Sequence, residues 1–428
     1  MYLDLKRSDL ALNGGQPVRT APWLDNFTIG DEEKGAVIRV LDSGYLSKFE
    51  GSHTPDPPFS FYGGPEVQGL EREWSEHYGC KHSISVNSAT SGLYAAIGAI
   101  GVGYGDEVIV SPYTMTACAM APLLFGAIPV FSDVEKETGC MDVKSIERAL
   151  SDRTKAILVV HQFGIPADME KIMELAKQHD LKVIEDCAQA HGAKYNNKNV
   201  GTFGAIGVFS LNVNKSIQTG EGGICITDDE ELAYRLALIR NHGEAVVGPA
   251  KYENVVNIFG FNFRLTELQA AIAREQLKKI NKLNDHRLDL VEAFSRGLDN
   301  HPFLHPLSGR PGCYSTYYVY PLRYESGIAR VEREEFVAAL NAEGAQFYQG
   351  YVEPLYLQPL YQQQSLFKHS YPFSAPENRG HTARYEKGTC PVAELLHQET
   401  MIINEHIRFP HTKRDIEQLI QIVIKVTG

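Results

Sequence analysis

Four short stretches of this 428-residue chain carry residue types and spacings that could do chemistry. In Val183-Ile-Glu-Asp-Cys-Ala-Gln-Ala-His191, Asp186 closes an apolar run. A carboxylate at the carboxyl end of a buried strand lies where α/β sheets bind ligands, and burying it is costly unless a cation faces it. A protonated pyridine nitrogen is such a cation; capping of the next turn is the plainer alternative. In Phe209-Ser-Leu-Asn-Val-Asn-Lys-Ser216, Lys215 follows a second apolar run and precedes Gly220-Glu-Gly-Gly223. Glycines let backbone close around an amine, which lowers its pKa and frees it to form an imine and move protons; an isolated lysine would be a plain surface charge. Asn87-Ser-Ala-Thr-Ser-Gly92 sets small polar residues between a strand and a helix. Free N–H groups and hydroxyls at a helix start suit a phosphate, or serve only as a cap through Ser88 or Thr90. Ser210, five residues before Lys215, offers a further hydroxyl. The fourth stretch joins Arg240-Asn-His-Gly243 to Gly260-Phe-Asn-Phe-Arg-Leu-Thr-Glu267. Its polar groups among aromatics and glycines resemble a binding loop, with Thr266 capping the helix that follows.

The elements that must position these residues form a clear rhythm. Short Val/Ile-rich runs predict strands at 82–87, 107–110, 128–131, 155–160, 182–185, 207–210 and 224–227. Helical patterns at 93–100 and about 167–177 lie between them. Continuous apolar strands alternating with helices imply an α/β fold with a mainly parallel central sheet, covered on both faces. Beyond Thr266 a charged helix runs to about residue 298, and a second unit is expected to begin near 313 with the β-prone run Tyr314–Tyr320. A loop rich in Tyr, Gln, Pro and His at 345–385 interrupts it, and a helix at 415–426 closes the chain. Region 45–65, dense in Gly, Pro and aromatics, reads as an active-site or interface loop.

Composition narrows the class. With 43% hydrophobic and 22% charged residues the chain has a globular balance and length enough for two packed domains. A net charge of -12 argues against a nucleic-acid partner, because neutralising phosphates takes a basic surface. No apolar run approaches the roughly 18–20 residues of a membrane span, and Met1 to Gly15 lacks a signal-peptide core. Seven scattered cysteines without a Cys-x-x-Cys pair read as small core residues in a reducing compartment. The expectation is a soluble cytoplasmic enzyme with no metal, no membrane and no nucleic acid.

Taken in order, Ser-Ala-Thr at 88–90, Glu-Asp-Cys-Ala-Gln at 185–189, Phe-Ser-x4-Lys at 209–215, Gly-Glu-Gly-Gly at 220–223 and Asn-Phe-Arg at 262–264 resemble the DegT/DnrJ/EryC1/StrS sugar aminotransferases, fold-type I enzymes that depend on pyridoxal 5'-phosphate (PLP). The likeness extends from Gly14-Gly15 and Gly64-Pro-Glu66 through Phe163-Gly-Ile-Pro-Ala-Asp168 to Cys390-Pro-Val-Ala-Glu394. It implies an N-terminal arm (1–30), a large PLP-binding α/β domain (31–280) and a smaller C-terminal α/β domain (281–428). It also implies that Lys215 carries PLP as an imine, Asp186 holds the pyridinium proton, and Gln189 contacts the ring region. Ala89, Thr90 and Ser210 would grip the phosphate. Asn262 would reach the phosphate of a neighbouring subunit, which makes the unit a homodimer with shared active sites; His242 and Arg264 lie on loops near it. Met115 stands where many relatives stack an aromatic on the ring, and its polarizable sulfur can cover a ring face, with Tyr113 close by.

The activity implied is transfer of an amino group from L-glutamate or L-glutamine to a keto-sugar, nucleotide-linked, or to a cyclitol ketone. The cofactor cycles through its amine form, pyridoxamine phosphate (PMP), and Lys215 moves the proton in both halves. A PLP/PMP-dependent sugar dehydratase of the same fold is the nearest rival, but such relatives tend to replace the lysine with histidine. A non-catalytic regulatory protein would be expected to lose Lys215, Asp186 or the phosphate turn, and a dinucleotide binder lacks its Gly-x-Gly-x-x-Gly. Acceptor choice is expected to rest on the 45–65 loop and on Tyr348, Tyr351, Tyr356 and Tyr361.

Overall fold

A computed structural model describes residues 3–52 and 59–428, so the centre of the 45–65 loop lies outside the described residues. In chain order the first strands are β1 (His82–Val86), β2 (Glu107–Val110), β3 (Ile128–Phe131), β4 (Thr154–Val160) and β5 (Lys182–Asp186). Next come β6 (Lys194–Tyr195), β7 (Lys198–Asn199), β8 (Ile206–Ser210) and β9 (Gly223–Thr227). The last are β10 (Leu304–Pro306), β11 (Cys313–Tyr314), β12 (Tyr320–Tyr324), β13 (Phe347–Gln349) and β14 (Met401–Asn404). Seven of them build one sheet in the order β1-β9-β8-β5-β4-β2-β3. Only β9 runs against its neighbours, so the sheet is mixed and mostly parallel, as the uninterrupted Val/Ile runs predict.

Both faces of this sheet are buried. Helix Ala89–Ala99 packs on β8 and β9; Gly92 lets it approach, since a Cβ there would meet Val208 and Cys225 at 2.8 and 3.1 Å. The predicted helices at 93–100 and 167–177 are Ala89–Ala99 and Met169–Gln178. Five cysteines, Cys118, Cys140, Cys187, Cys225 and Cys390, are buried and Cys80 and Cys313 partly so, all as free thiols. Among the described residues no helix is long and apolar enough to cross a membrane.

A four-stranded antiparallel sheet, β10-β12-β14-β13, forms a second core with the helix Lys413–Thr427 and the distal half of the 31-residue helix Glu267–Gly297. Leu3, Leu10 and Trp23 of the N-terminal segment pack into that core. Its first strand is β10, earlier than the expected start near 313. The run 314–320 is not one strand: Tyr314 ends β11, Tyr320 begins β12, and between them Tyr317 adopts φ 46°. Backbone bonds from Thr316 and Tyr318 to Gly164 and Phe163 pull this stretch toward the large sheet instead. The 345–385 loop likewise returns to the large core, through Leu355, Tyr356, Tyr361 and Phe373.

Candidate active site

The carboxyl ends of β1, β8, β5 and β4 lie along one edge of the large sheet, together with the start of the antiparallel β9. Register places Val86 opposite Gly223, Gly223 opposite Ser210, and Asp186 opposite Val160. Three of the four sequence stretches therefore converge there, at the position where open α/β sheets bind ligands.

Asp186 is buried at the end of β5. One carboxylate oxygen accepts from Ala188 N at 2.9 Å and the other from the Cys118 thiol at 3.1 Å. Burial pushes its carboxyl above the usual range, while the Ala188 N–H, the Cys118 thiol and the Lys215 charge pull the other way. A cation against its remaining lone pairs would complete this balance.

Lys215 follows β8 in a turn closed by Lys215 N donating to Asn212 O at 2.9 Å. It is only 8% exposed, and its ammonium lies 4.2 Å from the centroid of the Tyr318 ring, a cation–π contact, with no ion pair among the described residues. Burial brings its pKa from 10.5 down to about 8, with Asp186 and Glu405 opposing. The amine is thus poised to be neutral in part near physiological pH. Asn26 of the N-terminal segment donates to Lys215 O at 2.7 Å and pins the turn from outside.

The turn before helix Ala89–Ala99 is ordered from within. Ser88 caps the helix by accepting from Ser91 N, and Ser91 Oγ donates to Asn87 Oδ1 at 2.6 Å. With Ser88 occupied by Ser91, the Ala89 and Thr90 N–H groups meet no acceptor among the described residues and present the helix dipole to the edge. Gly223 lies so close that a Cβ would stand 2.7 Å from Ala89 N. Buried Ser210, across the ladder from Gly223, borders the same turn.

Gln189 is buried and fixed at both ends: its carbonyl accepts from Phe163 N at 2.7 Å and its amide donates to Tyr351 OH at 3.1 Å. Met115, in the turn after β2, has an exposed side chain, with Tyr113 wholly buried beside it. Asn262 is exposed and accepts from Arg264 Nε at 2.8 Å. Its segment is tied to the site by Asn87 N donating to Phe263 O at 2.8 Å. His242 packs beside Gly51, where a Cβ would meet its ring at 3.1 Å, and Asn241 donates to Glu50 and Phe61 carbonyls, so the described ends of the 45–65 loop dock on this stretch.

Tyr356 and Tyr361 do not face a substrate; both are buried against Phe131, and Tyr356 OH donates to Glu394. Of the four tyrosines only Tyr348 is substantially exposed. Sequence reasoning missed Cys118, Tyr318 and Asn26, which touch the site from distant segments with no local signature, and it named Tyr351 for the acceptor without its bond to Gln189. Nearby, His161, Glu185 and Cys187 are clustered closely enough to hold a metal ion. Yet Glu185 already accepts from His161 and from Gly201, Phe203 and Gly204 N–H groups, and His161 Nδ1 accepts from Ala167 N. These donors consume the lone pairs a metal would need.

The donor set fits PLP: among the described residues, a buried amine without an ion pair, a buried carboxylate that could face a cation, and helix-start N–H groups without an acceptor lie along one edge. The model of the DegT/DnrJ/EryC1/StrS aminotransferase family matches residues 59–378. An L-glutamine:2-deoxy-scyllo-inosose aminotransferase of Micromonospora echinospora is 34% identical, over 82% of this chain and 84% of that protein. A dTDP-3-amino-3,4,6-trideoxy-alpha-D-glucose transaminase of Streptomyces venezuelae is also 34% identical, over 77% and 80%. Among solved structures, an aminotransferase from Psychrobacter cryohalolentis superposes with a TM-score of 0.78 at 30% identity, covering 95% of this chain and 98% of that one.

Proposed function

The chain belongs to the DegT/DnrJ/EryC1/StrS aminotransferase family and is a PLP-dependent aminotransferase, and from that premise we propose that it moves an amino group from L-glutamine or L-glutamate to the ketone of a cyclitol or a nucleotide-linked sugar. The observation that carries this reading is the convergence of Lys215, Asp186 and the Ser88–Thr90 turn on one sheet edge. The relatives named above act on both acceptor classes by their names. Lys215, retained here, favours transamination over the dehydratase alternative.

When bound, PLP supplies a carbonyl that takes up the donor's nitrogen and a ring that draws off electrons from the carbon losing its proton. Lys215 would hold it covalently, Asp186 would keep its ring nitrogen protonated, and Ala89 N, Thr90 and Ser210 would bind its phosphate. Gln189, clamped by Phe163 and Tyr351, would meet the ring side, and Met115 would lie over a face. With a pKa of about 8, Lys215 Nζ takes the proton from the donor's α-carbon and, in the return half, delivers one to the former ketone carbon. Asn262, exposed on its loop, would serve a neighbouring subunit's phosphate in a homodimer. Exposed Val255, Val256 and Phe259 on the same stretch support a surface that a second copy covers.

The test is a panel of keto-inositols and nucleotide keto-sugars incubated with PLP-loaded enzyme and each amino donor. The expected result is an amine product with stoichiometric 2-oxo acid. Water elimination without amine formation would establish the dehydratase instead.

A further inference from the structure

Two buried guanidinium groups lie near Tyr318, whose ring underlies the Lys215 ammonium, and neither forms an ion pair among the described residues. Arg287, on helix Glu267–Gly297, is 4% exposed; its Nη1 donates to Ser216 Oγ and to Tyr317 O, both at 3.1 Å. Those acceptors belong to the residue after Lys215 and the residue before Tyr318, whose ring underlies the Lys215 ammonium. Arg408, between β14 and helix Lys413–Thr427, is 8% exposed, with its Nε buried and unpartnered. Its backbone is fixed by Arg408 N donating to His406 O at 2.8 Å and by His411 N donating to Arg408 O at 3.0 Å. Neither guanidinium forms an ion pair among the described residues. The groups facing Arg408 are Glu405, Tyr318, Asp25, Tyr348, Arg287, His406 and His411. Glu405 and Asp25 attract it only through space.

Burying a guanidinium is costly when nothing compensates its charge, and a planar fork of donors matches a carboxylate in shape. We propose that Arg408, backed by Arg287, is the subsite for a carboxylate of the amino donor. The proposal rests on the aminotransferase reading above. A cyclitol ketone carries no anion, whereas every amino-acid donor must bring a carboxylate to the lysine. The one anion common to all acceptor choices is therefore the donor's. Arg287, held by Ser216 and Tyr317, orients the Lys215–Tyr318 corner and adds positive potential behind Arg408.

The experiment uses PLP-loaded wild-type, Arg408→Gln and Arg408→Lys enzyme, with glutarate as an unreactive dicarboxylate and dTDP as a nucleotide diphosphate, both titrated by calorimetry. Glutarate affinity should fall about 10- to 100-fold in Arg408→Gln, the range for losing a charge-assisted contact, and less in Arg408→Lys. dTDP affinity should not change, and melting temperature and cofactor absorbance should stay as in wild type. Unchanged glutarate binding in Arg408→Gln, or none in wild type, overturns the subsite. Loss of dTDP binding alone overturns it in favour of an acceptor phosphate. If the glutarate result holds while wild type aminates no ketone, the functional reading fails and the carboxylate site stands.

Discussion

Burial acts in opposite senses on the two central groups: it lowers the pKa of Lys215 and raises that of Asp186, each time favouring the uncharged form. For Lys215 the direction of the pH effect follows. Only the neutral amine captures the PLP carbonyl, so capture by cofactor-free enzyme should quicken as pH rises through about 8, well below the ordinary 10.5. Stopped-flow absorbance checks the midpoint, and borohydride reduction should place the label on the Lys215 peptide; a midpoint near 10 would mean that the amine is solvated. For Asp186, replacement by Asn keeps the shape and the bond from Ala188 but removes the charge proposed to face the ring nitrogen. Asp186→Asn should cost about 3–4 kcal/mol in transition-state stabilisation, as loss of a preorganised electrostatic partner does, with little change in melting temperature. Turnover near wild type would identify Asp186 as a turn cap. The placing of both residues at one sheet edge was legible in the sequence because type, apolar neighbours and spacing coincide within a few positions. Cys118 and Tyr318 were not, because their places at the site arise from contacts with residues 68 or more positions away.

The Ser88–Thr90 turn, proposed to bind the phosphate, owes its shape to the adjoining strand, and glycine makes the fit. A Cβ at Gly223 would stand 2.7 Å from backbone atoms of both Ser88 and Ala89, which have nowhere to move without breaking the Ser88 cap. Gly220, three residues earlier, has φ 79° and open space around it. Gly223→Ala should therefore lower both stability, by about 1–3 kcal/mol as overpacking does, and PLP affinity. Gly220→Ala should cost about 1 kcal/mol of backbone strain and leave PLP affinity intact. Thermal melts and PLP titrations on the two variants separate these effects; equal affinities would show that β9 does not set the turn. The strands of the large sheet were readable to within a residue or so, since both faces are buried and the apolar runs are continuous. The second sheet was harder: β10 has three residues, too few to show alternation, and the Tyr-rich 314–320 run has β propensity that its bonds to Phe163 and Gly164 override.

At the scale of the whole molecule, the proposed homodimer requires that a second chain complete each site. Asn262 is exposed, yet its neighbour Phe263 is bonded to Asn87, directly before the same chain's phosphate turn. The proposed contact in trans therefore has to be separated from one in cis, because both would use the same residues. Mixed dimers separate the two. Asn262→Asp sets a carboxylate against phosphate, and Lys215→Ala removes the amine, so each parent dimer should be inactive. If Asn262 acts in trans, a mixed dimer gathers both lesions in the site that lacks Lys215 and leaves the other intact. Activity should then return to about half that of wild type, the site count for a closed two-fold assembly. If Asn262 acts in cis, each chain spoils its own site and the mixed dimer stays inactive. Co-expression with two affinity tags, tandem purification and an amine-formation assay give the reading. Recovered activity establishes shared sites in the homodimer, and its absence assigns Asn262 to its own subunit.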